Sequence, residues 1–216
     1  MNWMNPDNVV HAALNKVGDV VIANLLFLLC SIPLVTIGPA LSALYHCMLR
    51  TVKGNHTFTV KTFFTAFRQN FIQSLLIWLA LCAALIMAAF NLRFLAHTDS
   101  PAGQIFFLLT CGTAVLLAIT AFYVFPVIAA FKGTWKMQLK NALLFAFSHL
   151  PSTLLIILIS TLPMVMTWLD TGLLPLYACC WFFFGFGLTA YLNSLLFYRM
   201  FRPYLEQEAQ EVADHG

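Results

Sequence analysis

Residues 71–95 read FIQSLLIWLALCAALIMAAFNLRFL, twenty-five residues whose sole charge, Arg93, lies one turn from the end. Each helical residue advances about 1.5 Å, so about 20 apolar residues cross a hydrocarbon core of about 30 Å. This stretch is long enough to cross, and lipid is the solvent its side chains suit. Segments 20–37, 105–125, 150–169 and 173–198 have the same character. The expected fold is all-α, a polytopic membrane helix bundle of about five transmembrane helices. Composition agrees: 61% of the 216 residues are hydrophobic and 9% charged, against about 25% charged in a water-soluble domain. No polar linker divides the apolar blocks, so 1–216 reads as a single transmembrane domain.

The cations lie between the apolar segments. Arg50, Lys53, Lys61 and Arg68 follow the first, Lys132, Lys136 and Lys140 the third, and Arg199 and Arg202 the fifth. Lys16 and Arg93 fall on the other side. Cytoplasmic loops are enriched in Lys and Arg, so this count predicts a basic cytoplasmic face, an external N-terminus and a cytoplasmic C-terminus. A re-entrant pair in place of the first span, or an interfacial helix before Asp19, would change the helix count without moving the basic loops. Lys16 and the apolar run after it also resemble a cleavable signal, with Ala40-Leu41-Ser42 as the cleavage site. The run is longer than a usual signal core and the chain stays apolar through Leu49, which favours a retained helix.

Two interruptions stand out. The stretch 20–49 is too long for one perpendicular helix and contains Pro33, Thr36, Gly38 and Pro39. Each proline removes a backbone donor, so a break is expected there, with Pro39 opening a second helix that runs to about Lys53. Broken backbone at membrane depth must be packed in protein or line a wet cavity. Pro33, Thr36, Gly38 and Pro39, with Asn24 and Asn193, are thus a candidate ligand or partner site; the alternative is a plain kink, with both asparagines making interhelical hydrogen bonds.

The second interruption occurs twice. Val60, Phe63, Phe64, Phe67 and Phe71 follow helical spacing, with Lys61, Thr62, Arg68 and Gln69 facing elsewhere. Trp135, Leu139, Ala142, Leu143, Ala146 and Leu150 repeat the pattern against Lys136, Gln138, Lys140 and Asn141. These are amphipathic interfacial helices over about 58–70 and 134–149, either anchoring the chain on lipid headgroups or docking a cytoplasmic partner. Placing Ala66-Phe67 on Ala146-Phe147 gives an offset of 80 residues and suggests an ancient duplication.

The missing chemistry narrows the function classes. No Asp, Glu, Lys or Arg lies near a span midplane, where proton relays and ion-coupled transporters place them. There is no H-E-x-x-H, G-x-S-x-G or phosphate-binding loop, and the six histidines are scattered. The six cysteines sit in apolar runs without C-x-x-C spacing and read as packing residues. No enzyme activity, cofactor or metal is expected. The net charge of +3 forms no basic stripe, so nucleic acid is not an expected partner.

The run from Asp19 to Ala40, with Asn24, Ile32-Pro33 and Thr36-Ile37-Gly38-Pro39, resembles the N-terminal signature of the YesL-like family of small bacterial membrane proteins. Leu44-Tyr45 and the block from Phe63 to Phe71 are similar to that family's next motif, and Asn141-Ala142-Leu143 agrees further on. The resemblance implies a multi-spanning protein of no established activity, associated with bacterial carbohydrate uptake and utilisation. It supplies no catalytic residues. The expectation is a non-enzymatic inner-membrane protein that binds a permease or regulator of such a system; the alternative is a small autonomous transporter with its site at the broken first helix.

Overall fold

The computed structural model describes residues 6–54, 59–96 and 100–214, with side chains within 14–207. Among these residues nine α-helices follow in order: α1 (Pro6–Ser31), α2 (Ile37–Val52), α3 (Thr59–Gln69), α4 (Phe71–Leu95), α5 (Pro101–Ala130), α6 (Trp135–Ser148), α7 (Leu150–Leu169), α8 (Leu174–Cys180) and α9 (Phe186–Asp214). There is no strand among the described residues. Among the described residues five helical stretches are long and apolar enough to cross a membrane: Leu14–Ser31, Phe71–Leu95, Pro101–Ala130, Leu150–Leu169 and Thr171–Gln207. The chain is an all-α polytopic membrane bundle.

The third stretch outruns the expected 105–125 at both ends. Ser100 caps its start, its hydroxyl accepting from Gly103 N at 3.1 Å with Pro101 at the first helical position. At the other end the helix continues through Pro126, because lipid offers no water to an opened backbone and ending the helix there would cost more than the lost donor. The expected turn beginning at Thr98-Asp99 lies outside the described residues, as does residue 58 of the first amphipathic segment.

The broken first segment folds as a hairpin and not as one bent continuous helix. Three bonds define its path: Thr36 Oγ1 donates to Cys30 O at 2.6 Å, Thr59 Oγ1 donates to Asp19, and the Cys47 thiol faces Thr59 O at 3.9 Å. Cys30 back to Asp19 and Thr36 on to Cys47 are eleven residues each, so α1 and α2 run antiparallel and close a hairpin. The tip is shallow. Leu34 O accepts from Trp78 Nε1 at 3.0 Å, and Trp78 lies seven residues, about 10 Å, into the 25-residue α4. The apolar stretch expected over 20–37 divides at this point: α1 ends at Ser31, and α2 carries the chain back to the end where α1 enters.

That placement also moves Lys16. It precedes Asp19 on α1 and so joins the other basic residues. The reason is local. Gly38 lies against α4, where a Cβ would come within 2.5 Å of Trp78 Cβ and 2.7 Å of Ser74 O. The close approach draws the start of α2 against α4 instead of letting α1 continue outward.

α2 is the centre of the core although it is not among the five apolar stretches. Ala40, Ala43, Leu44 and Met48 are fully buried, and α2 packs against α1, α3, α4, α5 and α9. Beneath it an aromatic layer closes the bundle: Phe197 meets Tyr123 at 5.2 Å, and Phe201 meets Phe145 at 4.8 Å and Phe131 at 5.1 Å.

Both amphipathic segments form, as α3 and α6, and each turns into the helix after it through one residue. Asn70 N bonds Ala66 O and Ser74 N bonds Asn70 O; His149 N bonds Phe145 O and Thr153 N bonds His149 O. The two elbows superpose with an offset of 79. At that offset buried Phe63, Ala66, Ser74 and Ile77 fall on buried Ala142, Phe145, Thr153 and Ile156. The offset of 80 would pair buried Ser74 with exposed Leu154, so the repeat is shorter by one residue.

Candidate functional site

Asn24 is fully buried and binds backbone on another helix. Its Nδ2 donates to Phe182 O at 2.6 Å and Trp181 O at 3.2 Å, and its Oδ1 accepts from Gly187 N at 2.8 Å. The recipient is the π-helical turn Trp181–Gly185 between α8 and α9. A π turn disturbs the ordinary i to i−4 ladder, and the Asn24 carboxamide satisfies the groups involved. Gly187 permits this, since a Cβ there would lie 2.6 Å from Val20 O. Asn24 is thus an interhelical clamp with both ends of its amide in use.

The hairpin tip is sealed in the same way. The Thr36 hydroxyl lies 2.6 Å from Cys30 O and 2.7 Å from Pro33 O, and Thr36 N donates to Pro33 O at 2.9 Å. Pro39 is buried. Around Pro33 the tip is apolar and outward-facing, with Ile32 73% and Leu34 75% exposed. Four of the six residues expected to form a site, Pro33, Thr36, Gly38 and Pro39, share this region; Asn24 lies seven residues before the end of α1, and its amide, like the Thr36 hydroxyl, binds the protein itself. The sixth, Asn193, stands apart: Nδ2 donates to Ser160 Oγ at 2.8 Å and to Tyr45 Oη at 3.4 Å, tying α9 to α7 and α2. Its Oδ1 has no hydrogen-bond partner among the described residues, nor do the buried Ser42 and Ser194 hydroxyls.

The basic residues gather at one end of the bundle. Lys53 Nζ lies 5.7 Å from the Tyr198 ring centroid, which brings the end of α2 to the part of α9 that carries Arg199 and Arg202. Lys61 and Arg68 are exposed on α3, as are Lys136 and Lys140 on α6, and Lys132 is exposed in the loop before α6. Arg50 is half-buried on α2. With Lys16 this makes ten of the eleven Lys and Arg residues, all but Arg93.

Three side chains that sequence reasoning missed pin this end together. His46 Nδ1 donates to Ala129 O at 3.0 Å, Gln138 Nε2 to Phe131 O at 2.7 Å and Gln73 Nε2 to Gly133 O at 3.2 Å. They satisfy carbonyls left free where α5 ends. Polar side chains beside a helix terminus are the sequence signal for such a role, but it does not say which carbonyl they reach. Between α3, α4, α5 and α6 lies a groove of about 940 Å³, which no residue pattern had marked. Among the described residues no three His, Cys, Asp or Glu side chains gather as metal ligands would.

Fold and site together define the class, a multi-pass helical membrane protein with a basic end built around the buried helix α2. Residues 20–92 match the family described as "Protein of unknown function, DUF624". The match covers about a third of the chain: the last twelve residues of α1, the turn into α2, the first elbow and most of α4. No curated protein matches the sequence and no solved structure matches the fold.

Proposed function

We propose that this chain is a non-enzymatic protein of the bacterial inner membrane that serves a carbohydrate transport or utilisation system as an accessory, binding a permease or regulatory membrane protein through its basic end. One observation carries this reading: the Asn24 amide and the Thr36 hydroxyl of the interrupted helix are bonded within the fold, while ten cations stand together at one end. The first fact removes the support for an autonomous transporter at the hairpin, because a solute would find Asn24 and Thr36 already bonded. The second supplies a surface for an acidic partner beside the membrane. The carbohydrate system rests on the YesL-like resemblance.

The same reading sets the sidedness. Cytoplasmic loops carry the Lys and Arg excess, so the basic end faces the cytoplasm. The hairpin then re-enters from the cytoplasmic side, four crossings remain in α4, α5, α7 and α8 with α9, and both termini are cytoplasmic. Photo-crosslinkers placed at Lys61 and Lys140 in native membranes, followed by mass spectrometry, test the partner. Capture of a permease, with no solute flux in vesicles holding the purified protein alone, supports the accessory role. Flux without a partner would overturn it.

A further inference from the structure

The groove between the two elbows has two different ends. Its mouth is polar, with Arg68, Gln69, Gln73 and Thr134 around it and the Trp135 indole beside them. Among the described residues the Arg68 guanidinium has no hydrogen bond or ion pair, and Lys136 Nζ lies 5.3 Å from the Trp135 ring centroid. One cation, Arg68, and an interfacial tryptophan thus frame the entrance, with a second cation, Lys136, held on that indole. Below it the shaft is apolar, walled by Ile72, Leu76, Ala80 and Ala84 along α4, Leu117 on α5, and Leu139 and Leu143 on α6. Ala80 and Ala84 make the hollow, because larger side chains at those turns would fill it.

Depth selects the occupant. Ile72 to Ala84 spans twelve residues, about 18 Å along the helix, close to half of a hydrocarbon core of about 30 Å. The hollow stops at Ala84 although α4 continues to Leu95. A partner's transmembrane helix would need a seat through both leaflets, whereas a lipid of one leaflet needs half of that depth. Charge selects the headgroup, since guanidinium and ammonium groups bind phosphate through charge-assisted hydrogen bonds and no carboxylate lines the mouth. We infer that this groove is a binding site for one anionic phospholipid, its phosphate at Arg68 and an acyl chain along Ala80 and Ala84. The site stands independently of the accessory role proposed above.

The test uses the full chain, purified in mild detergent, exchanged to remove loosely held lipid, and titrated with dioleoyl phosphatidylglycerol or dioleoyl phosphatidylethanolamine under native mass spectrometry. One phosphatidylglycerol adduct is expected to persist, preferred over phosphatidylethanolamine by about fivefold per contacting cation. Arg68→Gln is expected to reduce that preference by about fivefold while leaving tail-driven binding. Ala80→Trp is expected to remove the adduct, while Ala83→Trp, on the same helix but outside the groove, retains it. Should Ala80→Trp fail to fold, Leu143→Trp fills the shaft from α6 and takes its place. Equal adducts in the filled-groove and Ala83→Trp proteins, no preference for the anionic lipid, or a polypeptide adduct that excludes lipid would each overturn the assignment.

Discussion

Replacing Asn24 by leucine tests the clamp between α1 and the π turn. The substitution keeps the side-chain volume and removes three bonds, two donated to Trp181 O and Phe182 O and one accepted from Gly187 N. Interhelical hydrogen bonds in membrane proteins average about 0.6 kcal/mol each and reach about 1.7 kcal/mol. Three of them give a destabilisation of about 2–5 kcal/mol. For a chain of this size each kcal/mol lowers the melting temperature by about 2–4 °C, so a loss of about 5–15 °C is expected. Thermal unfolding in detergent, followed by size-exclusion fluorescence, reads it directly. Gly187→Ala gives a second approach, because its Cβ would press on Val20 O and move α1 away from the turn. Once α1 is displaced Asn24 no longer reaches, so the double variant should lose less than the sum of the two. A shift below about 2 °C for Asn24→Leu, or strict additivity with Gly187→Ala, would refute the clamp.

Three further outcomes follow from the same geometry. Cysteines introduced singly at Leu14 and at Lys53 should both be shielded from a membrane-impermeant maleimide in intact cells and both labelled in inverted vesicles; labelling on opposite sides would break the hairpin. Gly38→Val should cost several degrees of thermal stability and red-shift Trp78 emission, since the new side chain meets Trp78 Cβ and Ser74 O; unchanged emission with full stability would mean α2 does not lie against α4. Glu206→Gln, which removes the exposed carboxylate 2.7 Å from Arg202 Nε, should leave the melting temperature unchanged within error.

The sequence exposes some of this architecture readily. Long apolar runs mark α4, α5 and α7, and helical spacing of Phe63, Phe67 and Phe71 marks the first elbow, because both are properties of neighbouring residues. What it hides is long-range. Pro33 and Pro39 announce a break, but its direction is set by Thr36 reaching Cys30, Trp78 reaching Leu34 and Thr59 reaching Asp19. The π turn at Trp181–Gly185 has no compositional signature, so Asn24 could be named as polar and embedded without its partner. Gly187 closes against Val20, and nothing beside it in the sequence names that neighbour. The repeat was displaced by one residue because apolar letters align almost equally well at neighbouring offsets, whereas burial distinguishes them.

α2 has a practical consequence for anyone dissecting this chain. A helix withdrawn from lipid is free of the demand for an all-apolar surface, which is how α2 accommodates Ser42, His46 and Arg50. A hydropathy plot passes over such a helix, and a fragment beginning at residue 71 would keep four of the five apolar stretches on paper. It would lack the keystone. The faces of α4, α5 and α9 that now close on Ala40, Leu44 and Met48 would be left around an empty slot, and a truncation chosen by counting peaks should yield aggregate instead of a smaller working protein.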